Sequence, residues 1–329
     1  MKQILTIGRY FRARHRQRVR KIPISLQGFT CPNIDGEKAK GGCIYCKNES
    51  FSPSLQTLKE LSLECESNPK NDILMNLNLR ENPLLDSQIA TLKAQFYKHA
   101  NYHKDKYKIT KYMIYFQSFS NTYAPFSTLE RLYSEALALP SVIGLSIGTR
   151  IDCVEDSVLE FLAKQVQNGK DIWLEYGIQS TFNQTLRLIN RAHGIEGAKE
   201  LVQKTRDLGI KVCVHLIYGL PKESEEMMIQ SLKNVLEWGI DSIKIHPLYI
   251  VKDTIMEQMF NAGKYTPITL ESYANLVVES LKLIPENIVV QRVSAGVHDD
   301  SLIAPKWCFD KNVQMNFIRE KLLGNGIKY

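Results

Sequence analysis

Short apolar segments that indicate β-strands alternate along this chain with longer segments that indicate amphipathic helices. The strand-like segments cover residues 19–26, 112–117, 142–147, 172–178, 211–218 and 242–249. Between them, residues 129–139, 156–167, 196–208 and 224–238 carry apolar side chains at the three- and four-residue spacing of a helix. This alternation predicts a parallel sheet covered by helices. Six such units favour a partial (β/α)6 TIM-like barrel over a doubly wound sheet, with the active site at the carboxyl ends of the strands.

The predicted barrel core covers residues 19–286, and three other segments are appended to it or inserted into it. A basic arm (1–18) precedes the core, an insertion occupies about 50–110, and a C-terminal extension (287–329) follows. A last strand at residues 288–293 and a terminal helix near residues 313–323 are expected to close one side of the barrel. At 329 residues the chain can bury one large core together with these additions.

The N-terminal arm carries much of the excess positive charge. Eight of the 42 lysines and arginines lie in residues 1–21, which contain no acidic residue, so the remaining chain with its 35 acidic residues is close to neutral. The alternating arginines at positions 12, 14, 16 and 18 suggest an extended segment whose one edge faces a polyanion. RNA is the expected partner, and a solvated leader that only aids solubility is the alternative.

Cellular location follows from the apolar runs and the cysteines. The chain has no run of about 18 apolar residues, which predicts that it does not span a membrane. Its basic N-terminus lacks the apolar stretch of a secretory signal. Seven cysteines without an export signal suggest a reducing compartment, and we therefore expect a cytoplasmic protein.

Three cysteines, Cys31, Cys43 and Cys46, lie within sixteen residues in a glycine-containing loop directly after the first predicted strand. Three thiolates give an iron–sulfur cube three of its four protein contacts and leave one iron open to a small molecule. A Cys-x-x-Cys pair is also common in zinc ribbons, but the chain has no second such pair to complete a zinc site. The pattern favours an iron–sulfur cluster and leaves zinc, or a thiol or structural role, as alternatives.

The loop has the sequence motif Cys-Pro-Asn-x-Asp-Gly…Gly-Gly-Cys, with Tyr45 just before the last cysteine. This motif resembles that of the radical S-adenosylmethionine (SAM) superfamily. Eleven residues separate Cys31 from Cys43, and this long spacing is similar to a bacterial branch of YhcC type related to the Elongator catalytic subunit. The resemblance implies a [4Fe–4S] cluster on Cys31, Cys43 and Cys46, and reductive cleavage of SAM to a 5′-deoxyadenosyl radical. It also implies an external low-potential electron donor and a place for Tyr45 against the adenine.

The resemblance implies further SAM contacts at the ends of later strands. These candidates are Gln117, Ser118, Thr149, Arg150, Gln179, Arg191 and His215. Arg191 is expected to pair with the SAM carboxylate, Gln179 to bond the ribose or the amino-acid tail, and His215 to lie near the ribose. Lys244 or His246 on the sixth predicted strand should point inward.

The substrate is left open by the sequence. Kinship with the Elongator subunit and the basic arm favour tRNA or another RNA, and the Tyr/Lys-rich run at residues 97–112 could stack on a single strand. A radical SAM enzyme acting on a small metabolite or a protein is one alternative. A non-catalytic, zinc-binding, RNA-associated module is another.

Overall fold

A computed structural model describes residues 1–47 and 82–329, and its centre is a seven-stranded parallel sheet that curls into part of a barrel. The first and last strands of the chain, β1 (Lys2–Gln3) and β11 (Ile327–Lys328), form a separate parallel pair. The barrel strands, in spatial order, are β2 (Val19–Ile24), β3 (Lys111–Phe116), β4 (Val142–Thr149), β5 (Asp171–Gln179), β6 (Lys211–Tyr218), β7 (Ser242–Pro247) and β9 (Val289–Arg292). All six predicted barrel strands are therefore present, and the expected α/β barrel fold is confirmed.

Helices pack around the sheet and beside the loop that carries Cys43 and Tyr45. They are α2 (Leu85–Tyr107), α3 (Phe126–Ala138), α4 (Asp156–Gln167), α5 (Asn183–Leu188), α6 (Ala198–Asp207), α7 (Glu225–Glu237), α8 (Ile255–Asn261), α9 (Leu270–Leu283) and α10 (Lys311–Gly324), with α1 (Ile7–His15) at the N-terminus. Ser224 starts α7 by accepting a hydrogen bond from the Met227 amide. Both faces of β5 are buried, as expected for a central parallel strand. No helix among the described residues is long and apolar enough to cross a membrane.

The C-terminal segment contributes directly to the barrel. Strand β9 pairs in parallel with β7, with Ser242 opposite Val289, and so becomes the seventh strand of the sheet. The short strands β8 (Ile250–Val251) and β10 (Leu302–Ala304) form an antiparallel pair beside it. The predicted last strand thus closes one side of the barrel by extending the sheet.

The second half of the predicted insertion is the long helix α2. Leu92 and Phe96 on this helix are buried in the main core, where the helix packs against β2 and α3. Helix α2 therefore occupies the place of the first crossover helix between β2 and β3. The first half of the insertion, residues 48–81, lies outside the described residues.

The basic arm forms a helix, and the prediction of an extended arm is wrong. Helix α1 begins after Thr6, whose hydroxyl accepts from the Arg9 amide, and Phe11 on this helix is 2% exposed. Phe11 packs against Met113 and Trp173 at the amino ends of β3 and β5. The alternation of arginines suggested a strand, but the packing of Ile7, Tyr10 and Phe11 at helical spacing decided the conformation.

Candidate active site

The cysteine loop follows β2 and folds back on itself through backbone hydrogen bonds. The Gly42 amide donates to the Asn33 carbonyl at 2.7 Å, and the Cys46 amide donates to the Cys43 carbonyl at 2.9 Å. Gly42 has φ of +72°, a left-handed conformation that glycine adopts without strain. The long excursion after Cys31 therefore returns to the same place, and all three cysteines line one cavity of about 230 Å³.

The sulfur atoms of the loop receive hydrogen bonds from polar groups around the cavity. Ser120 Oγ donates to Cys31 Sγ at 3.4 Å, and Asn33 Nδ2 donates to Cys43 Sγ at 3.4 Å. Burial raises the pKa of the Cys46 thiol well above its usual range, and the nearby Cys43 and Cys31 raise it further. Three soft sulfur donors on one cavity fit a cationic metal centre, because a metal stabilises the thiolates it binds. This donor set fits a cluster with three cysteine contacts and an open iron.

Arg150 joins the cysteine loop to the neighbouring strands. Its Nη1 lies 3.7 Å from Cys31 Sγ and donates to the Arg191 carbonyl at 3.0 Å. Its Nε and Nη2 atoms bind the two oxygens of Asp152, both at 2.8 Å. Arg150 is 2% exposed, so its positive charge stabilises negative sulfur in a site with little water.

Arg191 carries an unused donor. Its Nη2 donates to the Gly177 carbonyl at 2.7 Å, but its buried Nε has no hydrogen-bond partner among the described residues. A buried donor without a partner is costly, so the geometry fits an anionic acceptor such as the SAM carboxylate at this position.

Most of the other predicted contacts also line the cavity. They are Tyr45, Gln117, Thr149, Gln179 and His215. Ser118 is not among the lining residues: it is buried, and its hydroxyl shares a short hydrogen bond with that of Ser25. The hydroxyl side of Tyr45 faces Cys43, and burial raises the pKa of this phenol well above its usual range.

Below the cysteine end, the lumen holds a buried charge network centred on Glu175. The inward orientation expected of Lys244 is confirmed, whereas sequence reasoning missed Glu175 and Lys21. Lys21 Nζ lies 2.5 Å from Glu175 Oε1, while Lys244 Nζ and His215 Nε2 (2.8 Å) contact Oε2. Ser146 adds a hydrogen bond of 2.5 Å to Oε1. A charged residue in the middle of each of several apolar strands was the available signal.

Protonation in the network follows from burial and charge. Burial alone would raise the pKa of Glu175, but the ammonium groups of Lys21 and Lys244 outweigh burial and hold the pKa well below its usual range. Burial, aided by the charge of Lys244, lowers the pKa of His215 to about 4. His215 is therefore neutral at pH 7, and its Nε2–H donates to the Glu175 carboxylate. Burial also lowers the pKa of Lys21 to about 8, against the attraction of Glu175.

Potential ligand atoms of Glu175, Cys213 and His215 lie within 4.8 Å of one another, as in a metal site. The ammonium groups of Lys21 and Lys244, however, occupy both carboxylate oxygens of Glu175. This cluster is therefore an ion-pair network, because a metal cation would have to displace two positive charges.

A curled parallel sheet with three cysteines at its carboxyl end defines a radical SAM protein. The family model of the radical SAM superfamily matches residues 36–235, and that of the radical SAM C-terminal domain matches residues 240–323. Protein YhcC of Escherichia coli (strain K12) is 33% identical over 315 residues, which cover 96% of this chain and 91% of that protein. The chain belongs to the radical SAM superfamily.

The chain also has two more distant similarities, one in sequence and one in structure, to proteins related to the Elongator catalytic subunit. The tRNA uridine(34) acetyltransferase of Methanocaldococcus infernus is 26% identical over 159 residues, 47% of this chain and 29% of that protein. The solved structure of the M. infernus Elp3 with an N-terminal deletion has a TM-score of 0.57 at 18% identity. It covers 74% of this chain and 61% of that one, which shows a shared fold.

Family membership decides between the alternatives that the cysteine spacing left open. The protein is a radical SAM enzyme, and its cofactors are a [4Fe–4S] cluster and SAM. The zinc alternative and the non-catalytic module are therefore excluded.

Proposed function

We propose that Cys31, Cys43 and Cys46 hold the cluster and that SAM binds above them in the same cavity. When bound, this pair supplies a 5′-deoxyadenosyl radical that removes hydrogen from a substrate. The observation that carries the proposal is the convergence of three thiols, those of Cys31 and Cys43 buried and that of Cys46 partly buried, and the unpartnered Nε of Arg191 on one cavity. The polar part of the same cavity, around Glu175 and His246, is then the place of the substrate.

Each remaining residue has a role in binding or orientation under this proposal. Arg191 pairs with the SAM carboxylate, and Gln179 and Thr149 bond its polar groups. Tyr45 lies against the adenine, and its ring is held by an apolar cluster that includes Leu248. The positive charge of Arg150 stabilises the thiolate of Cys31. We assign Ser118 no direct contact with SAM, because it does not line the cavity and its hydroxyl bonds that of Ser25.

The first experiment measures SAM binding and cleavage in anaerobically purified protein. Arg191→Ala should weaken SAM binding by about 10-fold or more, because it removes a charge-assisted hydrogen bond. Iron content should not change, since Arg191 donates no bond to a cysteine. Arg187→Ala on α5, an exposed arginine four positions away, is the matched control. Equal SAM affinity in both variants would contradict the proposed role.

We further propose that the substrate is RNA. The Arg/Tyr surface that supports this proposal consists of Arg12, Arg16, Arg18, Tyr102 and Tyr107. Both tyrosines are exposed, and Lys106 Nζ lies 5.3 and 5.5 Å from their ring centroids. Thr110 Oγ1 donates to Gln17 at 3.2 Å, which joins the arm to this end of α2. Stacking rings beside positive charges fit single-stranded RNA.

The Arg/Tyr surface lies near the amino ends of β2 and β3, whereas the cysteine loop lies at the carboxyl ends. A strand rises about 3.3 Å per residue, so the two places are about 20–30 Å apart. RNA that contacts this surface would therefore have to continue around the barrel to bring a base to the lumen.

The salt dependence of RNA affinity tests the Arg/Tyr surface. Arg12, Arg16 and Arg18 are exposed, and changing all three to Gln should flatten the plot of log affinity against log salt by about 0.7 for each phosphate that is no longer neutralised. The control changes Lys199, Lys233 and Arg319 on the outer helices, all exposed, to Gln. Equal slopes in both variants and the wild type would reject the RNA proposal in favour of a small metabolite or a protein.

A further inference from the structure

The lumen below the cysteine end continues toward β7 and β9 and remains polar there. Tyr115, His215, His246 and Arg292 line this part of the cavity together with Glu175. The interior of such a barrel is ordinarily filled by branched apolar side chains. Polar groups in this position therefore indicate a ligand and not a packing requirement.

Positive charge exceeds negative charge in this part of the lumen. Glu175 is the one acidic residue that lines the cavity in the described part of the chain. Both of its oxygens are taken by Lys21 and Lys244. Arg292 lines the same cavity, is exposed to solvent, and forms no hydrogen bond or ion pair with any described residue. Within residues 1–47 and 82–329, the guanidinium group of Arg292 is therefore left without a counter-ion.

His246 supplies a second unused group. Its Nε2 is buried without a hydrogen-bond partner among the described residues, and its ring stacks on His215 with centroids 5.7 Å apart. Arg292 stands opposite Lys244 in the register of β7 and β9, two residues before His246, and both His246 and Arg292 line the cavity, so the two groups lie in the same part of it. Burial and then the charge of Arg292 lower the pKa of His246 well below its usual range. A neutral imidazole can donate one hydrogen bond through Nε2.

We propose that Arg292 and His246 form a subsite for an anionic group, a carboxylate or a phosphate, of the substrate. Arg292 supplies the charge and a planar pair of donors, which suit either group, and His246 Nε2–H donates to one of its oxygens. The identification of this anion as part of the radical's substrate rests on the proposed function; the binding of the anion does not.

The subsite differs from the one for the SAM carboxylate. Arg191 follows α5, beyond the end of β5, whereas Arg292 ends β9, beyond β7 in the sheet. SAM has one carboxylate, which the unpartnered Nε of Arg191 accommodates. The anion at Arg292 must therefore come from a second molecule.

The experiment measures anion binding to the cluster-loaded, SAM-bound protein by equilibrium dialysis under anaerobic conditions. The probes are radiolabelled inorganic phosphate, malonate and a 5′-phosphorylated RNA trinucleotide. Arg292→Gln should weaken binding by about 10-fold, the effect of losing one charge-assisted hydrogen bond. His246→Phe should weaken it less, because it removes a neutral donor. Arg319→Gln on α10, also exposed, is the control and should bind like the wild type.

Binding of phosphate or malonate that depends on Arg292 would support the subsite and indicate a small acid. Dependence for the trinucleotide alone would support the subsite and assign the anion to an RNA phosphate. The proposal would be overturned if wild type and Arg292→Gln bound each of the three probes with equal affinity, or if neither protein bound any of them. Circular dichroism and iron content confirm that each variant is folded and loaded. If SAM is not cleaved while Arg292-dependent binding persists, the radical proposal fails and the anion subsite stands.

Discussion

The apolar cluster at the amino end of the barrel and the cysteine cavity at the carboxyl end differ in what their buried side chains contact. At the amino end, Phe11 of α1 packs with Met113 and Trp173, and all three side chains are at most 2% exposed. At the carboxyl end, Arg191 Nε and His246 Nε2 are buried without partners among the described residues. Native proteins rarely leave such groups unpaired. The apolar cluster around Phe11 therefore stabilises the fold, whereas the unpartnered donors in the cysteine cavity are available to ligands. His99 Nε2 and His103 Nδ1 on α2 are also buried without described partners, so the contrast holds for these two sites and not for every buried group at the amino end.

Between the two ends lies the Glu175 network, which combines features of both. It is buried like the amino end, yet it consists of charges like the carboxyl end. Its two ion pairs, from Lys21 and Lys244 to the Glu175 carboxylate, are fully formed, and the neutral His215 adds a hydrogen bond to the same carboxylate. We interpret the network as the floor of the ligand space, because below it the lumen is apolar.

The sharpest contrast between the ends concerns two sets of cysteines. Replacing Cys31, Cys43 or Cys46 by Ala should remove nearly all of the about four irons per chain, because each provides a thiolate that no neighbour replaces. Cys213→Ala should keep its iron, because Cys213 borders the Glu175 network and does not line the cavity of the three loop cysteines. Iron counting and the visible spectrum of anaerobic protein measure this. Full iron in a Cys31 variant would contradict the assignment of the two ends.

The packing of α1 against the amino end of the sheet can be tested through the stability of the protein. Phe11→Ala should lower the free energy of unfolding by about 3–5 kcal/mol, since it leaves a cavity where α1 meets the sheet. SAM affinity should change little. Phe309→Ala is the control, because Phe309 is 48% exposed, and it should cost no more than about 0.5 kcal/mol. Urea denaturation gives both values. Similar losses in the two variants would mean that α1 does not close the barrel.

The Glu175 network, which lies between the two ends, can be tested through the pH dependence of the free energy of unfolding. The pKa of Lys21 is about 8 in the folded protein, whereas an unfolded lysine releases its proton near pH 10.4. Between these values the unfolded chain binds more protons. The contribution of Lys21 to the free energy of unfolding should therefore rise with pH, by about 1 kcal/mol per pH unit.

Chemical denaturation of the wild type and of Lys21→Met, from pH 7 to pH 9.5, isolates this contribution. The difference in stability between the two proteins should grow in favour of the wild type above about pH 8. Lys170→Met is a matched control, because Lys170 bonds backbone carbonyls outside the network. Parallel profiles for the wild type and Lys21→Met would show that Lys21 keeps its proton.

Local patterns in the sequence were sufficient for the strand–helix order and for the three cysteines. Periods of two and of three to four residues report burial on one face, and the cysteines lie close together along the chain. The helix at residues 7–15 was missed because its arginines alternate, a local pattern that the burial of Phe11 overrides. Tertiary packing of this kind determines the local conformation even where intrinsic propensity and charge spacing suggest another one.

The sequence by itself determined the α/β barrel, the position of the cysteine loop after its first strand, and the radical SAM chemistry that those cysteines support. Only the tertiary structure decided which charges meet in the lumen. Lys21 contacts Glu175 across 154 positions and Gln291 across 270. No local pattern encodes these contacts, because they depend on which strands become neighbours when the sheet curls. For the same reason, the unpartnered Arg292 and His246 were recognised only after β9 had joined β7 in the folded sheet.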